Sequence, residues 1–349
     1  MQIGCVQVLE FRSYRTLFYR PEGRINLITG RNGQGKTNLL EALAVLLTGR
    51  SFRTSKLADL PHWGTDASVL TGDLQRSEGS RSVRRTIQRQ DNGAWQATGE
   101  GCSWARVIVF GWQDLAILHG APVARRMFID GFAGRLYAGH LPALLRYRRL
   151  IGQRNRLLQA RATADRLSPW DEQLASVGME LIGRRRRAVA VLQTELARVY
   201  PAVSGERSKV QVGYRSLIGE ATEPAALVEA LERARPVELR RGQTLVGPHR
   251  DDLTIELDGV DARAFGSRGQ QRLLALALRV AEVLPVSEAA GTAPVLLLDD
   301  ALSELDPDVR DNVLREIQSV EQVFLTSPEP LAVNGAARWV VDGGGIAAA

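Results

Sequence analysis

Cysteine is scarce in this chain: Cys5 and Cys102 are the only two among 349 residues, too few and too far apart for a disulfide framework or a C-x-x-C metal clip. The four histidines, His62, His119, His140 and His249, are equally scattered, and no metal site is legible from their spacing. No apolar run reaches the roughly 18 residues that a membrane span requires. The amino terminus, with Glu10 and Arg12 close by, lacks the basic-then-apolar profile of a secretion signal. Together these absences argue against a secreted disulfide scaffold, a structural zinc module and a membrane-spanning protein, and make the cytoplasm the expected location. Lysine is nearly missing too: of 45 basic residues only Lys36, Lys56 and Lys209 are lysine. Apart from Gly343-Gly344-Gly345 there is no low-complexity tract, and no internal repeat.

What remains is the composition of a folded soluble protein, 44% hydrophobic and 24% charged. Its length suits two units or one domain with a large insertion. A net charge of +6 favours a polyanionic partner such as nucleic acid, although charge argues association and not fold. Segments Ile3 to Phe11 and Ile25 to Thr29 read as strands, followed by a helix from Lys36 to Leu47. Residues 68 to 110 read as a meandering antiparallel sheet ending in Val107-Ile108-Val109-Phe110. From Ala124 to Arg235 the periodicity turns helical, with Leu144, Tyr147, Ile151, Leu157 and Leu158 on one stretch. Leu174, Val177, Leu181, Val189, Leu192 and Leu196 lie on the next, with a break expected at Ser168-Pro169-Trp170. Two helices of about 30 residues would form a hairpin on the order of 45 Å long. Strand character returns after Gly242, at Thr254 to Leu257 and Val295 to Leu298, around a leucine-rich helix from Gln270 to Leu284.

Chemistry enters at Gly30-Arg31-Asn32-Gly33-Gln34-Gly35-Lys36-Thr37, which fits G-x-x-x-x-G-K-[ST] with the strand before it and the helix after it that a P-loop needs. Glycines let successive N–H groups converge on phosphate oxygens at the positive end of the helix. Lys36 would bridge the β and γ phosphates and Thr37 would ligate Mg²⁺. A glycine-rich turn that merely fits the pattern is the plainer reading, and the flanking strand and helix weigh against it. The buried run Val295-Leu296-Leu297-Leu298 then delivers Asp299 and Asp300 to the carboxyl edge of a sheet, a Walker B arrangement. Asp299 would hold Mg²⁺, and Asp300 would orient or deprotonate the attacking water. Because aspartate reaches one methylene less far than glutamate, slow turnover is expected. Ser303-Glu304-Leu305-Asp306 follows as a D-loop, with Pro307 suited to a helix start.

Ser267-Arg268-Gly269-Gln270 heads the leucine-rich helix and alone would be an ordinary capped helix start. The order P-loop, S-x-G-Q and Walker B resembles the ATP-binding-cassette superfamily. That resemblance implies that the signature meets the γ phosphate bound by a second copy, giving an ATP-dependent homodimer. Further stretches narrow it: Phe11 to Tyr14, Gly30 to Asn38, Ser51-Phe52-Arg53, Gly120-Ala121-Pro122 with Arg125-Arg126, Gln153-Arg154-Asn155, Gly247-Pro248-His249-Arg250-Asp251-Asp252, Ser267 to Arg272, and Leu297 to Asp306. In this order, over nearly the whole chain, they resemble the RecF family. Departures fall at Trp112 and Gln113, where the family usually carries Pro and Glu, leaving any sensing role of Gln113 or Asp114 in doubt, and at Arg268, where it commonly has glutamine.

The resemblance implies an α/β fold, an ABC-type P-loop ATPase head with a mixed sheet (residues 1–123 and 236–349), and an inserted α-helical arm domain (residues 124–235). It implies ATP and Mg²⁺ as cofactors, with Asn38 joining the P-loop residues as an ATP contact. The implied function is a weak, DNA-stimulated ATPase acting as a dimerising clamp on double-stranded DNA near single-strand to double-strand junctions. RecR and RecO are the implied partners, promoting RecA loading in replication and recombinational repair, with no membrane partner. Arg184-Arg185-Arg186-Arg187, with Arg146, Arg148, Arg149, Arg154 and Arg156, leave DNA contact and a solvated helix face equally open. Four successive helical residues cannot all face one duplex. Two other readings share the motifs. A transporter's ATPase subunit would not need the helical insertion and usually has glutamate at the place of Asp300. A long-armed, zinc-hooked repair ATPase would need more length and a C-x-x-C.

Overall fold

Ile25–Thr29 is buried without alternation from Ile25 to Ile28, Asn26 included, as a strand covered on both faces must be, and it lies inside a six-stranded sheet. The strand order is Gly345–Ala348, Ala336–Asp342, Ile25–Thr29, Gln322–Ser327, Val295–Leu298, Val107–Phe110. All neighbours pair in parallel except the terminal hairpin, which makes the sheet mixed. Leu296 sits in register between Ile108 and Val323, and all four residues from Val295 to Leu298 are fully buried. The carboxyl ends of these strands therefore open on one edge, where the P-loop and Asp299 follow.

The structure is a computed structural model and describes residues 1–76 and 78–349. The chain forms two compact units, one of Met1–Leu115, Val199–Arg207 and Arg272–Ala349, the other of Ala116–Arg198 and Ser208–Gln271. These boundaries differ from a division at 123 and 236, since residues 236–271 group with the helical segments. In the first unit a second, antiparallel sheet runs in the order Tyr14–Tyr19, Gln2–Phe11, Ala67–Arg76, Gly79–Arg89, Trp95–Thr98. The P-loop helix Lys36–Thr48 shares one core with both sheets and buries Leu39, Leu40, Leu43, Leu46 and Leu47. A helix apolar on all sides is one enclosed on all sides. At Gly72 a Cβ would stand 2.6 Å from Leu46 Cδ2, so only glycine lets the helix approach this strand.

The second unit contains the helices Pro122–Leu136, His140–Gln159 and Pro224–Arg241, most of the long helix Ala164–Ser204, and a three-stranded antiparallel sheet of Val260–Asp261, Asp252–Leu257 and Val210–Arg215. Leu144, Tyr147, Leu174, Val177, Leu181 and Ile182 meet Leu227 and Leu231 in its core, along the stripes the periodicity indicates.

Three elements differ from the expectation. Val107–Phe110 leaves the antiparallel meander and pairs in parallel beside Val295–Leu298. Ser168-Pro169-Trp170 does not break a helix: the turn comes earlier, at Ala160 to Thr163 with Arg161 at φ 51°, and Pro169 falls in the second turn of Ala164–Ser204. Proline in the second turn gives up one main-chain bond, to the Asp165 carbonyl, and the 41-residue helix continues through it. The leucine-rich segment divides into Arg268–Val280 and Val283–Ala290, before Pro285. No helix among the described residues is long and apolar enough to cross a membrane.

Candidate nucleotide site

The P-loop leaves the sheet at Gly30, with φ 150°, and enters its helix at Gly35, with φ 116°. Side chains at these positions are excluded by space as well as by conformation. A Cβ on Gly30 would meet the Val341 carbonyl oxygen at 2.3 Å, and one on Gly35 would meet Ser13 Oγ at 2.7 Å. No side chain caps the start of the P-loop helix, which leaves its first N–H groups aimed into the loop. Lys36 Nζ donates to the carbonyls of Gly30 (2.6 Å) and Arg31 (3.1 Å), curling over the loop that it closes. Gln34 accepts from the Gly343 N–H at 2.9 Å, and Asn38 donates to Ser13 Oγ at 2.9 Å.

Asp299 brings the second motif onto the first. Its backbone N–H donates to the Phe110 carbonyl, continuing the strand pairing by one residue. Thr37 Oγ1 lies 2.9 Å from each carboxylate oxygen of Asp299, and Thr326 Oγ1 donates to Oδ1 at 2.9 Å. Burial raises the Asp299 carboxyl above its ordinary range, and the hydroxyl hydrogen bonds only partly offset this. Burial also lowers the Lys36 ammonium, with Asp300 and Asp299 pulling the other way. Two hydroxyls and one buried carboxylate form a hard-oxygen set short of positive charge, which fits Mg²⁺. Among the described residues no three carboxylate, histidine or cysteine side chains gather as a self-sufficient metal cage, so the fit is to a cation shared with phosphate oxygens.

Asp300 turns away at φ 52°, its N–H donating to Thr326 Oγ1 at 2.9 Å and its carboxylate accepting from Ser303 Oγ. Glu304 is also left-handed, at φ 63°. Arg272 ties this turn down, donating to the Asp300 carbonyl at 2.6 Å and to Glu304 at 3.3 Å. Leu305 is buried, and Asp306 stands as the N-cap of the helix Pro307–Glu316.

Ser267 to Gln270 lies in the other unit. Gln270 N donates to Ser267 Oγ at 3.2 Å, and Ser267 N donates back to Gln270 Oε1 at 2.9 Å, a reciprocal capping box. Arg268 and Gly269 are exposed, and nothing lies within 4 Å of a Cβ placed on Gly269. The S-x-G-Q segment is thus a sound helix start that leaves its middle residues open to solvent.

Several residues around the P-loop escaped the motif reading. Glu41, fully buried on the P-loop helix, receives Arg12 through two bonds of 2.8 and 2.7 Å and Arg53 at 3.1 Å, while Arg53 also reaches Asn38 at 2.8 Å. Two guanidiniums are thereby fixed beside the loop. Thr326, which touches both aspartates, carries no sequence signal beyond ending a buried strand. Asp114 has a structural partner: it accepts from the Gly111 N–H at 2.9 Å and pairs with Arg279 at 2.6 Å.

In the second unit the basic clusters divide. Arg185 is buried, pairing with Asp130 at 2.8 Å and donating to the Pro248 carbonyl at 2.6 Å. Arg154, fully buried, holds Asp171 at 2.6 Å and lies 2.7 Å from Glu238. Neither is available to a duplex. Arg184 and Arg186 keep some exposure but lean on Glu180 and Glu220.

Comparison with known proteins bears on the family and the fold. Residues 2–341 match the family described as the RecF/RecN/SMC N terminal domain. A protein of Heliobacterium modesticaldum called DNA replication and repair protein RecF is 34% identical over 362 aligned residues, covering 97% of each chain. One of the same name from Desulforudis audaxviator is 34% identical, covering 99% of each. Among solved structures, the recombination mediator protein RecF with ATP, of the RecFOR pathway, superposes with a TM-score of 0.89 at 28% identity, covering 99% of this chain and 97% of that one. An SMC head bound to the C-winged helix domain of ScpA shares the fold alone, with a TM-score of 0.58 at 15% identity, covering 100% of this chain and 97% of that one.

Proposed function

Since the chain belongs to the RecF family within the RecF/RecN/SMC group of ATPases, we propose that it is an ATP-dependent DNA-binding protein of replication and recombinational repair that hydrolyses ATP slowly. The observation that carries this reading is Thr37 Oγ1 at 2.9 Å from both oxygens of Asp299, which brings the P-loop and Walker B motifs together and supports one phosphate and Mg²⁺ site. Relatives called DNA replication and repair protein RecF that align over 97% and 99% of both chains, and a RecF solved with ATP, support the biological setting.

In this reading Gly30 to Asn38 hold the triphosphate through backbone N–H groups, with Lys36 turning from its own loop carbonyls to the β and γ phosphates. Thr37 and Asp299 would hold Mg²⁺, which when bound neutralises charge on the phosphate oxygens. Asp300, fixed by Ser303, Thr326 and Arg272, orients the attacking water and accepts its proton. Ser267, Arg268, Gly269 and Gln270 act on the nucleotide of a second copy, and Ser303 to Asp306 line the same junction, so ATP closes a homodimer. That dimer engages double-stranded DNA near single-strand to double-strand junctions, with RecR and RecO as partners in RecA loading, in the cytoplasm.

ATP hydrolysis measured with and without duplex DNA, beside a Lys36→Met variant, tests the reading. The parent should hydrolyse ATP faster with duplex, and the variant should do neither. Turnover indifferent to DNA, with no ATP-dependent DNA retention, overturns it. Sizing with ATP, parent against Ser267→Arg, tests the dimer: two monomeric species, or equal dimerisation without nucleotide, would refute the shared site.

A further inference from the structure

The segment Gly247 to Asp252 is the stretch of sequence that the nucleotide chemistry leaves unused. Its two carboxylates are committed inside the second unit. Asp251 accepts from Tyr214 Oη at 2.6 Å and from the Leu217 N–H at 3.3 Å, while Asp252 receives Arg125 through bonds of 2.7 and 2.9 Å. His249 is held between Tyr147 Oη and the Thr244 carbonyl, both at 3.0 Å, and burial keeps its ring neutral, at about 4. Nothing in the loop therefore balances Arg250.

Arg250 is exposed and donates to the Thr244 carbonyl at 3.3 Å; Arg126 is half-buried and donates to the Asp251 carbonyl at 3.0 Å. Among the described residues neither has a carboxylate within 4 Å, whereas Arg125, Arg154, Arg185, Arg235 and Arg263 of the same unit all do. Burial lowers the Arg126 guanidinium, the nearby Arg185 and Arg250 lower it further, and Asp252 and Asp130 pull the other way from beyond pairing distance. Two cations thus flank one loop, anchored only through main-chain oxygens, with N–H groups to spare on each planar fork.

We propose that Arg126 and Arg250 form a phosphodiester-binding site on the second unit, each taking one backbone phosphate of a nucleic acid duplex. The proposal rests on the DNA-binding reading above and adds to it a place and two residues. A guanidinium fork matches phosphate oxygens in pairs, and main-chain anchoring fixes direction without cancelling charge. Such contacts set register on the duplex and carry no sequence preference.

The test is binding of a fluorescent mixed-sequence duplex, with ATP present, over a series of salt concentrations, for the parent, Arg126→Gln, Arg250→Gln and the double variant. Each lost phosphate contact should lower the slope of log affinity against log salt by about 0.9, and the double variant by about twice that. ATP affinity in the absence of DNA should stay at the parent value, separating a duplex phosphate from a nucleotide phosphate. Arg126→Lys, which keeps the charge, should keep most of the slope. If Arg126→Gln is poorly folded, Arg250→Gln alone decides. A parent that binds duplex while Arg250→Gln and the double variant keep its slope overturns the site and leaves the DNA reading standing. A parent that does not bind duplex removes that reading and the site with it. Equal loss of ATP affinity would mean that the arginines serve the nucleotide or the fold.

Discussion

Charge is handled in opposite ways in the buried pairs of the second unit and at the candidate nucleotide site of the first. In the second unit buried ionic groups are closed on one another: Arg125 on Asp252, Arg185 on Asp130, Arg154 between Asp171 and Glu238. In the first, Lys36, Asp299 and Asp300 come together at the edge of a sheet with hydroxyls and carbonyls as neighbours. A closed pair has already spent its Coulomb energy against the cost of leaving water. An open cluster keeps that energy for a ligand. The same residue types therefore serve as framework in closed pairs, which the first unit also has in Arg12 with Glu41 and Arg279 with Asp114, and stand open at the sheet edge.

The largest expected effect breaks a closed pair. Asp130→Ala strands Arg185 and leaves His140 without its 2.9 Å partner, and should cost about 3–5 kcal/mol in chemical denaturation while ATP affinity per folded molecule stays unchanged. If the loss is below about 1 kcal/mol, the closed pair is not framework.

An open carboxylate should behave the other way. Asp300→Asn should lower ATP turnover by about 10²-fold or more, with ATP retention kept and stability within about 1 kcal/mol of the parent. Unchanged turnover would remove Asp300 from the chemistry.

Acid should sharpen the contrast within the second unit. The His249 ring is held near about 4 in the fold against roughly 6.5 when unfolded. Below 6.5 the unfolded chain takes up the proton first, so the parent loses stability between pH 6.5 and 4, by about 3 kcal/mol. His249→Gln should remove that part of the slope, read as the difference between the two denaturation curves, and parallel curves would contradict it.

The smallest effect concerns Ser267. As a capping residue its change to Ala should cost about 1 kcal/mol, seen as faster amide exchange in the first turn of Arg268–Val280. If ATP-dependent dimerisation is lost with no change in exchange, the hydroxyl acts on nucleotide rather than on its helix.

Local chemistry was legible in the sequence where it is written in consecutive residues. Gly30 to Thr37 and Val295 to Asp300 declare strand, turn and helix within a few positions, so the P-loop and Walker B strands fall where expected. Pairing partners are less legible, because Val107–Phe110 is as apolar as any strand of a meander and only the three-dimensional sheet decides its neighbours. Arg185 and Arg154 look like their exposed neighbours in sequence. Their burial depends on Asp130, Asp171 and Glu238, which lie far enough along the chain that no periodicity links them. The same holds for Glu41 with Arg12 and Arg53, and for Thr326. Pro169 misled for a different reason: a long helix can continue past one missing main-chain bond, and the chain turns instead at Arg161.

The shortage of lysine gives the nucleotide site an analytical signature. Lys36 is buried and its ammonium is lowered, while Lys56 and Lys209 are exposed and the terminal amine is engaged by Glu321. An amine-acylating reagent therefore meets very few targets, and only one of the three lysines belongs to the P-loop. Peptide mass spectrometry of acylated protein, with and without ATP, should show modification of Lys56 and Lys209 unchanged and that of Lys36 suppressed, giving site occupancy from a single peptide in an unmodified sequence.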